Sequence, residues 1–350
     1  MQTLSERSLP ELIETEEALD DLLTRPRAEL VDFIRTVSSP LVVLGAGGKM
    51  GPTLAVLARR AAEAAGKQLE VIAVSRFSDE RARQWLETRG VRTISCDLLE
   101  RDALRQLPDA ENVVYLVGFK FGTAANPSMT WAINTLVPAH VCARYPQARI
   151  VALSTGNVYP LVPVQSGGAV ESDALTPLGE YANAAVARER LFEFHSRQSG
   201  IRVALLRLNY AVELRYGVLV DIAQKVWADQ AVDVTMGFLN CIWQGDANEF
   251  ILRALAHVGS PPIVLNLTGP CALSVRELAL EFGRLLGRQV EVMGKEAETA
   301  LLSNSARAGA LFGEPPTPLE AVLRWTAQWV VRGGRTLNRP THFEVRTGKY

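Results

Sequence analysis

The sequence predicts an α/β fold built on a doubly wound parallel sheet, with a smaller C-terminal lobe and an N-terminal helical extension. From residue 40 to about residue 209, short apolar segments alternate with longer segments of helical pattern. This alternation is typical of a parallel sheet covered by helices on both faces. The first apolar segment, residues 41–44, runs directly into a glycine-rich turn and then an alanine-rich helix. Strand, turn and helix in this order indicate a Rossmann-type fold.

Changes in the pattern divide the chain into three regions. Residues 1–39 precede the alternation and form the helical extension. Residues 40–210 form the Rossmann-type domain. Residues 211–350 form mainly the second lobe, from which a segment around residues 240–265 is expected to return to the first domain.

The predicted elements follow from hydrophobic periodicity and helix-end signals. After the strand at 41–44, strands are predicted at 70–74, 91–95, 113–117, 149–153, 203–206, 263–267 and 289–292. Helices are predicted at 53–65, 78–89, 127–145, 179–199, 217–228 and 274–286. In the extension, Ser8 and Glu11 form a capping-box pattern that predicts a helix start, and a second helix is predicted from Pro26 to about residue 37. Asp246 is predicted to cap a helix over 247–256.

Composition limits the classes of function. The 350 residues carry a net charge of −1, with 48% hydrophobic and 21% charged residues, as in an ordinary globular protein. This balance argues against binding to nucleic acid or an anionic membrane through bulk charge. The four cysteines show no metal-ligand spacing, so no metal site and a reducing, cytoplasmic setting are expected. No apolar run is long enough to predict a membrane span.

The glycine turn at residues 45–51 (GAGGKMG) is the strongest functional signal. Its first glycine permits the tight turn, the middle one lets the backbone approach the pyrophosphate of a dinucleotide, and the last allows close helix–strand packing. The following helix directs N–H groups and the positive end of its dipole at the phosphates. We therefore predict dinucleotide contacts at Gly45, Gly47, Gly48, Lys49, Met50 and Gly51.

Further segments match, in chain order, the pattern of one enzyme family. They are CDLL at 96–99, VYLVG at 114–118, WAIN at 131–134, VALSTGNVY at 151–159, LRLN at 206–209 and VLNLTG at 264–269. With the GxxGxxG spacing of the turn, residues 40–295 resemble the extended short-chain dehydrogenases/reductases, the NAD(P)-dependent epimerase/dehydratase family. The resemblance implies cofactor contacts at Asp97, Leu98, Val117, Gly118 and Asn134.

The end of the second predicted strand indicates which nicotinamide cofactor is bound. NAD-binding relatives carry an acidic residue there, which holds the adenosine ribose hydroxyls. This chain has Ser75 followed by Arg76. A carboxylate would repel a 2′-phosphate, whereas a hydroxyl and a guanidinium can bind one. The sequence therefore favours NADP over NAD, with stacking of Arg76 on adenine or its exposure to solvent as the alternatives.

The resemblance also implies an active site of a serine or threonine, a tyrosine, and a lysine four residues after the tyrosine. In that family the tyrosine exchanges a proton with a substrate hydroxyl while hydride moves to or from the nicotinamide. The lysine holds the nicotinamide ribose and lowers the tyrosine pKa. Thr155 and Tyr181 match this pattern, but Ala185 stands where the lysine belongs.

Three interpretations of Ala185 remain open. In the first, another cation fills the gap, and Lys120, directly after the fourth predicted strand, is the candidate. In the second, the acid–base chemistry is different and Tyr181 only binds. In the third, redox activity is lost and the fold senses a dinucleotide or serves as a scaffold.

The predicted function is that of an NAD(P)-dependent oxidoreductase or epimerase/dehydratase-like enzyme. From the resemblance, it acts at a secondary alcohol or ketone of a sugar or nucleotide-sugar, and Asn157, Asn209 and Arg215 are the candidate substrate-binding residues. The resemblance also implies a homodimer formed through the helices matching 129–146 and 180–199. The rivals are a non-catalytic dinucleotide-binding sensor or scaffold, and an interaction protein whose extension docks a partner.

Overall fold

The computed structural model describes residues 9–119 and 125–348. The strands of its central sheet are Leu41–Leu44 (β1), Val71–Ser75 (β2), Arg92–Ser95 (β3), Asn112–Tyr115 (β4), Arg149–Thr155 (β5), Arg202–Leu208 (β6) and Ile263–Leu267 (β7). The helices are Glu16–Leu23 (α1), Ala28–Ile34 (α2), Gly51–Ala64 (α3), Glu80–Glu87 (α4), Arg101–Arg105 (α5), Pro127–Arg144 (α6), Gly179–Ser199 (α7), Val218–Trp227 (α8), Gln244–Arg253 (α9), Val275–Leu286 (α10), Ala306–Phe312 (α11) and Leu319–Val331 (α12).

The seven-stranded sheet confirms the predicted fold class. Its order is β7-β6-β5-β4-β1-β2-β3, and each neighbouring pair is parallel. The chain order reverses between β1 and β4, so the loops after these two strands diverge and leave a crevice at the carboxyl edge. The glycine turn follows β1 and therefore lies at this switch point.

Helices cover both faces of the sheet because successive strand residues point to opposite sides. Leu41 and Val43 pack into a cluster with residues of α2, α3 and α9. Val42 and Leu44 pack into a second cluster with residues of α6 and α7. β1 is therefore buried on both faces, as expected for a central parallel strand.

A third apolar cluster forms the C-terminal lobe and includes part of the N-terminal extension. Residues of α8, α10 and α12 pack there together with Ile13, Leu19 and Leu23. Further along the extension, Leu30 and Ile34 are buried in the sheet cluster instead. The extension thus packs against both halves of the molecule. Among the described residues, no helix is long and apolar enough to cross a membrane.

The predicted helix start near the capping-box pattern is wrong. Ser8 lies outside the described residues, and Glu11 is not helical. The helix begins at Glu16, where the Thr15 side chain accepts a hydrogen bond from Ala18 N. The preceding segment is tied to the lobe instead, because Trp325 Nε1 donates to Pro10 O at 2.8 Å.

The predicted helix cap at Asp246 is also wrong. Asp246 lies inside the first turn of α9 and is buried. Its carboxylate accepts hydrogen bonds from Thr317 N at 3.1 Å and Thr317 Oγ1 at 3.0 Å. Burial raises the pKa of Asp246 to about 6, although these bonds oppose the shift. The side chain therefore joins α9 to the segment before α12.

Candidate functional site

The glycine turn is packed so closely that two of its residues must be glycine. Gly45 has φ +80°, and a Cβ on it would lie 2.9 Å from Val117 N. A Cβ on Gly51 would lie 2.5 Å from the Cα and the O of Ala46. The turn is thus held against the end of β4 on one side and the start of α3 on the other.

The outer face of the turn is open. Gly47 and Gly48 are exposed, and the nearest atom to a Cβ on Gly48 would be Gly45 O at 3.4 Å. No side chain caps α3, which Met50 precedes. The N–H groups of its first turn lack intrahelical partners, and the dipole favours an anion there. An open glycine backbone above an uncapped helix start fits the pyrophosphate of a dinucleotide.

The side chains of Lys49 and Met50 point in different directions. The Met50 side chain is buried in the sheet cluster. Lys49 crosses to the lobe, where its Nζ donates to Ala211 O at 2.7 Å and lies 4.7 Å from the centre of the Tyr216 ring. Lys49 therefore joins the glycine turn to the segment after β6.

The residues predicted to select NADP lie beside the turn. The Oγ of Ser75 would be 2.6 Å from a Cβ on Gly47, so Ser75 packs directly on the turn. The Arg76 side chain is 66% exposed, and its Nη1 lies 3.9 Å from Asp97 Oδ2. Asp97 also accepts a hydrogen bond from Leu99 N, while Leu98 is buried. Arg76 is thus a weakly paired cation at this end of the crevice.

The segment after β4 contacts an arginine that the sequence did not single out. Arg188 Nη1 donates to Val117 O at 2.9 Å and to Asn134 Oδ1 at 3.1 Å. A Cβ on Gly118 would lie 3.0 Å from the same nitrogen. Asn134 is fully buried, and its amide donates to Thr130 O within α6. Cofactor contacts by Val117, Gly118 and Asn134 remain a prediction.

Thr155 and Tyr181 lie on neighbouring elements. Thr155 ends β5, and its Oγ1 accepts hydrogen bonds from the backbone N and side-chain Nδ2 of Asn157, both at 3.2 Å. Tyr181 is buried in the first turn of α7. Ala185, one turn later, packs with Val158, directly after the Thr155 turn. The catalytic roles of Thr155 and Tyr181 stay predictions, and Lys120 lies outside the described residues.

A buried ion pair fixes α7 against the strand ends. Arg207 on β6 pairs with Glu189 on α7 at 2.7 Å, and both side chains are buried. Ser154 Oγ donates to the same carboxylate at 2.5 Å, and Arg207 Nη1 donates to Tyr159 OH at 2.7 Å. Because these groups bridge β5, β6 and α7, they set the position of Tyr181 relative to Thr155.

Tyr216 is a second residue that the sequence reasoning missed. Burial, the Asp221 charge and the Tyr181 phenol, in that order, raise the pKa of Tyr216. The centre of its ring lies 4.7 Å from Lys49 Nζ. The only signal in the sequence is its position next to Arg215, in the segment where substrate contacts were expected.

The predicted substrate residues beyond β6 are held by protein groups. Asn209 is buried, and its amide donates to Asn240 Oδ1 at 2.8 Å. Arg215 Nη1 lies 2.9 Å from Asp20 Oδ1 of the extension, and its Nε lies 3.1 Å from Glu213 Oε2. Arg215 also lines a cavity of about 310 Å³ between α8 and the C-terminal segment. Their role in substrate binding stays a prediction.

Metal ligands are not grouped in the part of the chain that the structure describes. Within it, no set of three or more histidine, cysteine, aspartate or glutamate side chains is arranged to hold an ion.

The fold is shared with solved epimerases and with a solved dehydratase. An epimerase from Methanothermobacter thermautotrophicus has a TM-score of 0.72 and 17% identity, over 87% of this chain and 96% of that one. A dTDP-glucose 4,6-dehydratase from Bacillus anthracis, in complex with NAD, has a TM-score of 0.71 and 14% identity, over 84% and 97%. A UDP-glucose 4-epimerase from Thermotoga maritima, with UDP-glucose, has a TM-score of 0.68 and 16% identity, over 84% and 99%. At these identities the likeness establishes the fold.

The family model agrees with the resemblance read from the motifs. No curated protein sequence matches this chain at a significant level. The model of the NAD dependent epimerase/dehydratase family matches residues 41–212, which run from β1 to the segment after β6. The match to the NAD dependent epimerase/dehydratase family rests on these residues, just under half of the chain, and confirms the resemblance that the motifs predicted.

Proposed function

We propose that this chain binds NADP, with NAD as the alternative, and acts on a secondary alcohol or ketone of a sugar or nucleotide-sugar. The observation that carries the proposal is the open glycine turn above the uncapped start of α3, with Tyr181 at the start of α7, which packs against β5. A dinucleotide at this turn would have its pyrophosphate at Gly47–Gly48 and its adenosine end near Arg76. When bound, the nicotinamide would accept or return a hydride.

The residues of the chain supply the proton chemistry. The Tyr181 hydroxyl would exchange a proton with the reacting oxygen, and the Thr155 hydroxyl would hydrogen-bond to that oxygen. Asn157 holds the Thr155 hydroxyl in place. Lys49 contributes a positive charge beside Tyr216. Lys120 is retained as a further candidate cation of this site.

Both the family and the lobe support this substrate class. Two of the structural neighbours are named for dTDP-glucose and UDP-glucose. The cavity lined by Arg215, Asp221, Lys225 and Arg339 carries charges of both signs, which suits a polar ligand. We therefore assign Arg215 to substrate binding, with Asn209 supporting the wall next to Thr155 through Gly156.

The test is a binding and turnover experiment on the purified full chain. A bound dinucleotide stabilises the native state by about 2.7 kcal/mol at 100 times its Kd, so melting temperature and tryptophan fluorescence report binding. Uridine- and thymidine-diphosphate sugars are then incubated with the loaded protein, and products are separated by chromatography. Failure of both dinucleotides to bind would overturn the proposal.

A non-catalytic sensor or scaffold is the second candidate, and Ala185 favours it. Its side chain is fully buried among apolar groups, so no charge lies at the position of the family lysine. A Tyr181→Phe variant separates the two functions. If the chain is an enzyme, the variant still binds the dinucleotide but no longer converts the sugar substrate. For a sensor, the wild type itself binds without turnover on any of the sugars.

Arg76 is expected to set the preference for NADP. An Arg76→Ala variant should weaken NADP binding by about tenfold, because a charge-assisted hydrogen bond to the 2′-phosphate contributes about 1.5–3 kcal/mol and exposure reduces it. NAD binding should stay within about twofold. The matched control is Arg92→Ala, since Arg92 is also an exposed, acid-paired arginine, on β3. Equal effects on both dinucleotides would contradict this role.

We also propose a homodimer formed through α6 and α7. Leu136 on α6 is 51% exposed and Phe194 on α7 is 57% exposed, and the two helices pack side by side. A Leu136→Glu, Phe194→Glu double variant should shift the molar mass in light scattering from dimer to monomer. Leu280→Glu is the control, because Leu280 is 54% exposed on α10 of the lobe. A monomeric wild type would contradict the proposal.

We propose two further properties of the chain. The first is the division of the chain at residues 39 and 210: the separate apolar clusters of the sheet and the lobe support the boundary near residue 210, whereas the extension contributes residues to both clusters. A reducing, cytoplasmic setting agrees with the four thiols being free, namely those of Cys96, Cys142, Cys241 and Cys271.

A further inference from the structure

Arg188 is a buried cation whose hydrogen-bond partners among the described residues are all neutral. Its side chain is 3% exposed, its Nη1 bonds to Val117 O and Asn134 Oδ1, and its Nε has no partner. Arg207 is buried to a similar degree but pairs with Glu189. No ion pair of Arg188 is found in residues 9–119 and 125–348. An uncompensated buried charge costs several kcal/mol, which a ligand rich in acceptors would offset.

The position of Arg188 on α7 relates it to the missing lysine. Tyr181, Ala185 and Arg188 are spaced at i, i+4 and i+7, so they lie on one face of the helix, and all three are buried. Side chains on a helix lean toward its N-terminus, so Arg188 is directed back toward Ala185 and Tyr181. An arginine at i+7 can therefore place its charge near the position that the charge of a lysine at i+4 would occupy.

The contacts of Arg188 lead to the carboxyl end of β4. The Val117 carbonyl oxygen accepts a hydrogen bond from the Arg188 guanidinium. The Val117 backbone N would lie 2.9 Å from a Cβ on Gly45, so the same residue also packs against the glycine turn. Gly118 is exposed, and a Cβ on it would lie 3.0 Å from Arg188 Nη1. The guanidinium is thus separated from the crevice by a residue without a side chain. A guanidinium has five N–H donors, and the two bonds from Nη1 leave others for acceptor groups.

We infer that Arg188 supplies, from one turn further along α7, the positive charge that the family places at the position of Ala185. The inference rests on the proposed dinucleotide binding and assigns the nicotinamide half of the ligand to this end of the crevice. Arg188 holds Val117 and Asn134 in place and attracts the ribose hydroxyls of that half. Binding of the adenosine half, beside Arg76, does not depend on Arg188.

The experiment compares the whole dinucleotide with its adenosine half. Kd values for NADP and for adenosine 2′,5′-bisphosphate are measured by calorimetry on the wild type and on Arg188→Met. The variant should bind NADP at least about tenfold more weakly and the bisphosphate within about twofold. The control is Arg144→Met, since Arg144 on α6 also has a buried Nε without a partner. A merely structural role would not change the ratio of the two affinities.

A rescue variant completes the test. Ala185→Lys in the Arg188→Met background should restore NADP affinity, because it returns the charge to the family position. If Arg188→Met does not fold, Arg188→Gln keeps a donor to Val117 O without the charge and is measured instead. Unchanged NADP affinity in the folded neutral variant, or failure of both neutral variants to fold, overturns the inference. Absence of NADP and NAD binding by the wild type is a different result, which overturns the proposed function itself.

Discussion

Replacing Gly51 with alanine is expected to weaken dinucleotide binding strongly and to lower the stability of the chain. The added Cβ would lie 2.5 Å from the Cα and the O of Ala46, which are backbone atoms that cannot rotate away. The turn would have to separate from the start of α3, and such overpacking costs about 1–3 kcal/mol. Because phosphate binding needs the turn and the helix start in one geometry, Kd should rise about a hundredfold or more.

Two matched glycine variants show whether the loss is local. Gly48→Ala has space in the protein, since its Cβ would meet only Gly45 O at 3.4 Å. It should keep the melting temperature and still weaken binding, because the ligand approaches this face. Gly309→Ala on α11 meets no atom within 4 Å and should change neither property. Wild-type affinity in both turn variants would contradict the location of the dinucleotide.

Elements whose ends are defined locally could be predicted from the sequence. The bounds of α6 and α7 were predicted to within a residue because Asn126 caps α6 before Pro127, and Gly200, at φ +73°, ends α7. The start of α1 was predicted wrongly because the capping-box pattern near Glu11 competes with a contact to Trp325, 315 residues from Pro10. A local pattern carries no information about such a contact.

The same distinction applies to the candidate site. The glycine turn was predictable because its role depends on backbone geometry, which neighbouring residues determine. Arg188 was missed because its partners Asn134 and Val117 lie 54 and 71 residues away, and nothing in its local sequence marks it. The contact between Arg215 and Asp20 was missed for the same reason, because the two residues are 195 positions apart. Side-chain pairings of this kind appear only in the folded chain.

Replacing Asp20 with alanine is expected to destabilise the chain by about 2–4 kcal/mol. Asp20 Oδ1 accepts from Arg215 Nη1 and Asp20 Oδ2 accepts from Trp85 Nε1, both at 2.9 Å. Its carboxylate thus joins the extension to α4 and to the lobe. Its removal leaves Arg215, which is 13% exposed, with Glu213 as its nearest acid and Trp85 without its acceptor. The cost stays below that of a fully unpaired buried charge because Glu213 remains.

The neighbouring Asp21 provides the control for this variant. Asp21 pairs with Arg25 and Arg60, but its side chain is 47% exposed, so Asp21→Ala should cost less than about 1 kcal/mol. Urea unfolding of both variants measures the difference. If the extension were an arm free to dock a partner, the two aspartates would be equally dispensable. A large loss of unfolding free energy in Asp20→Ala alone would show that the extension makes its contacts within this chain. Little of its surface would then remain for a partner.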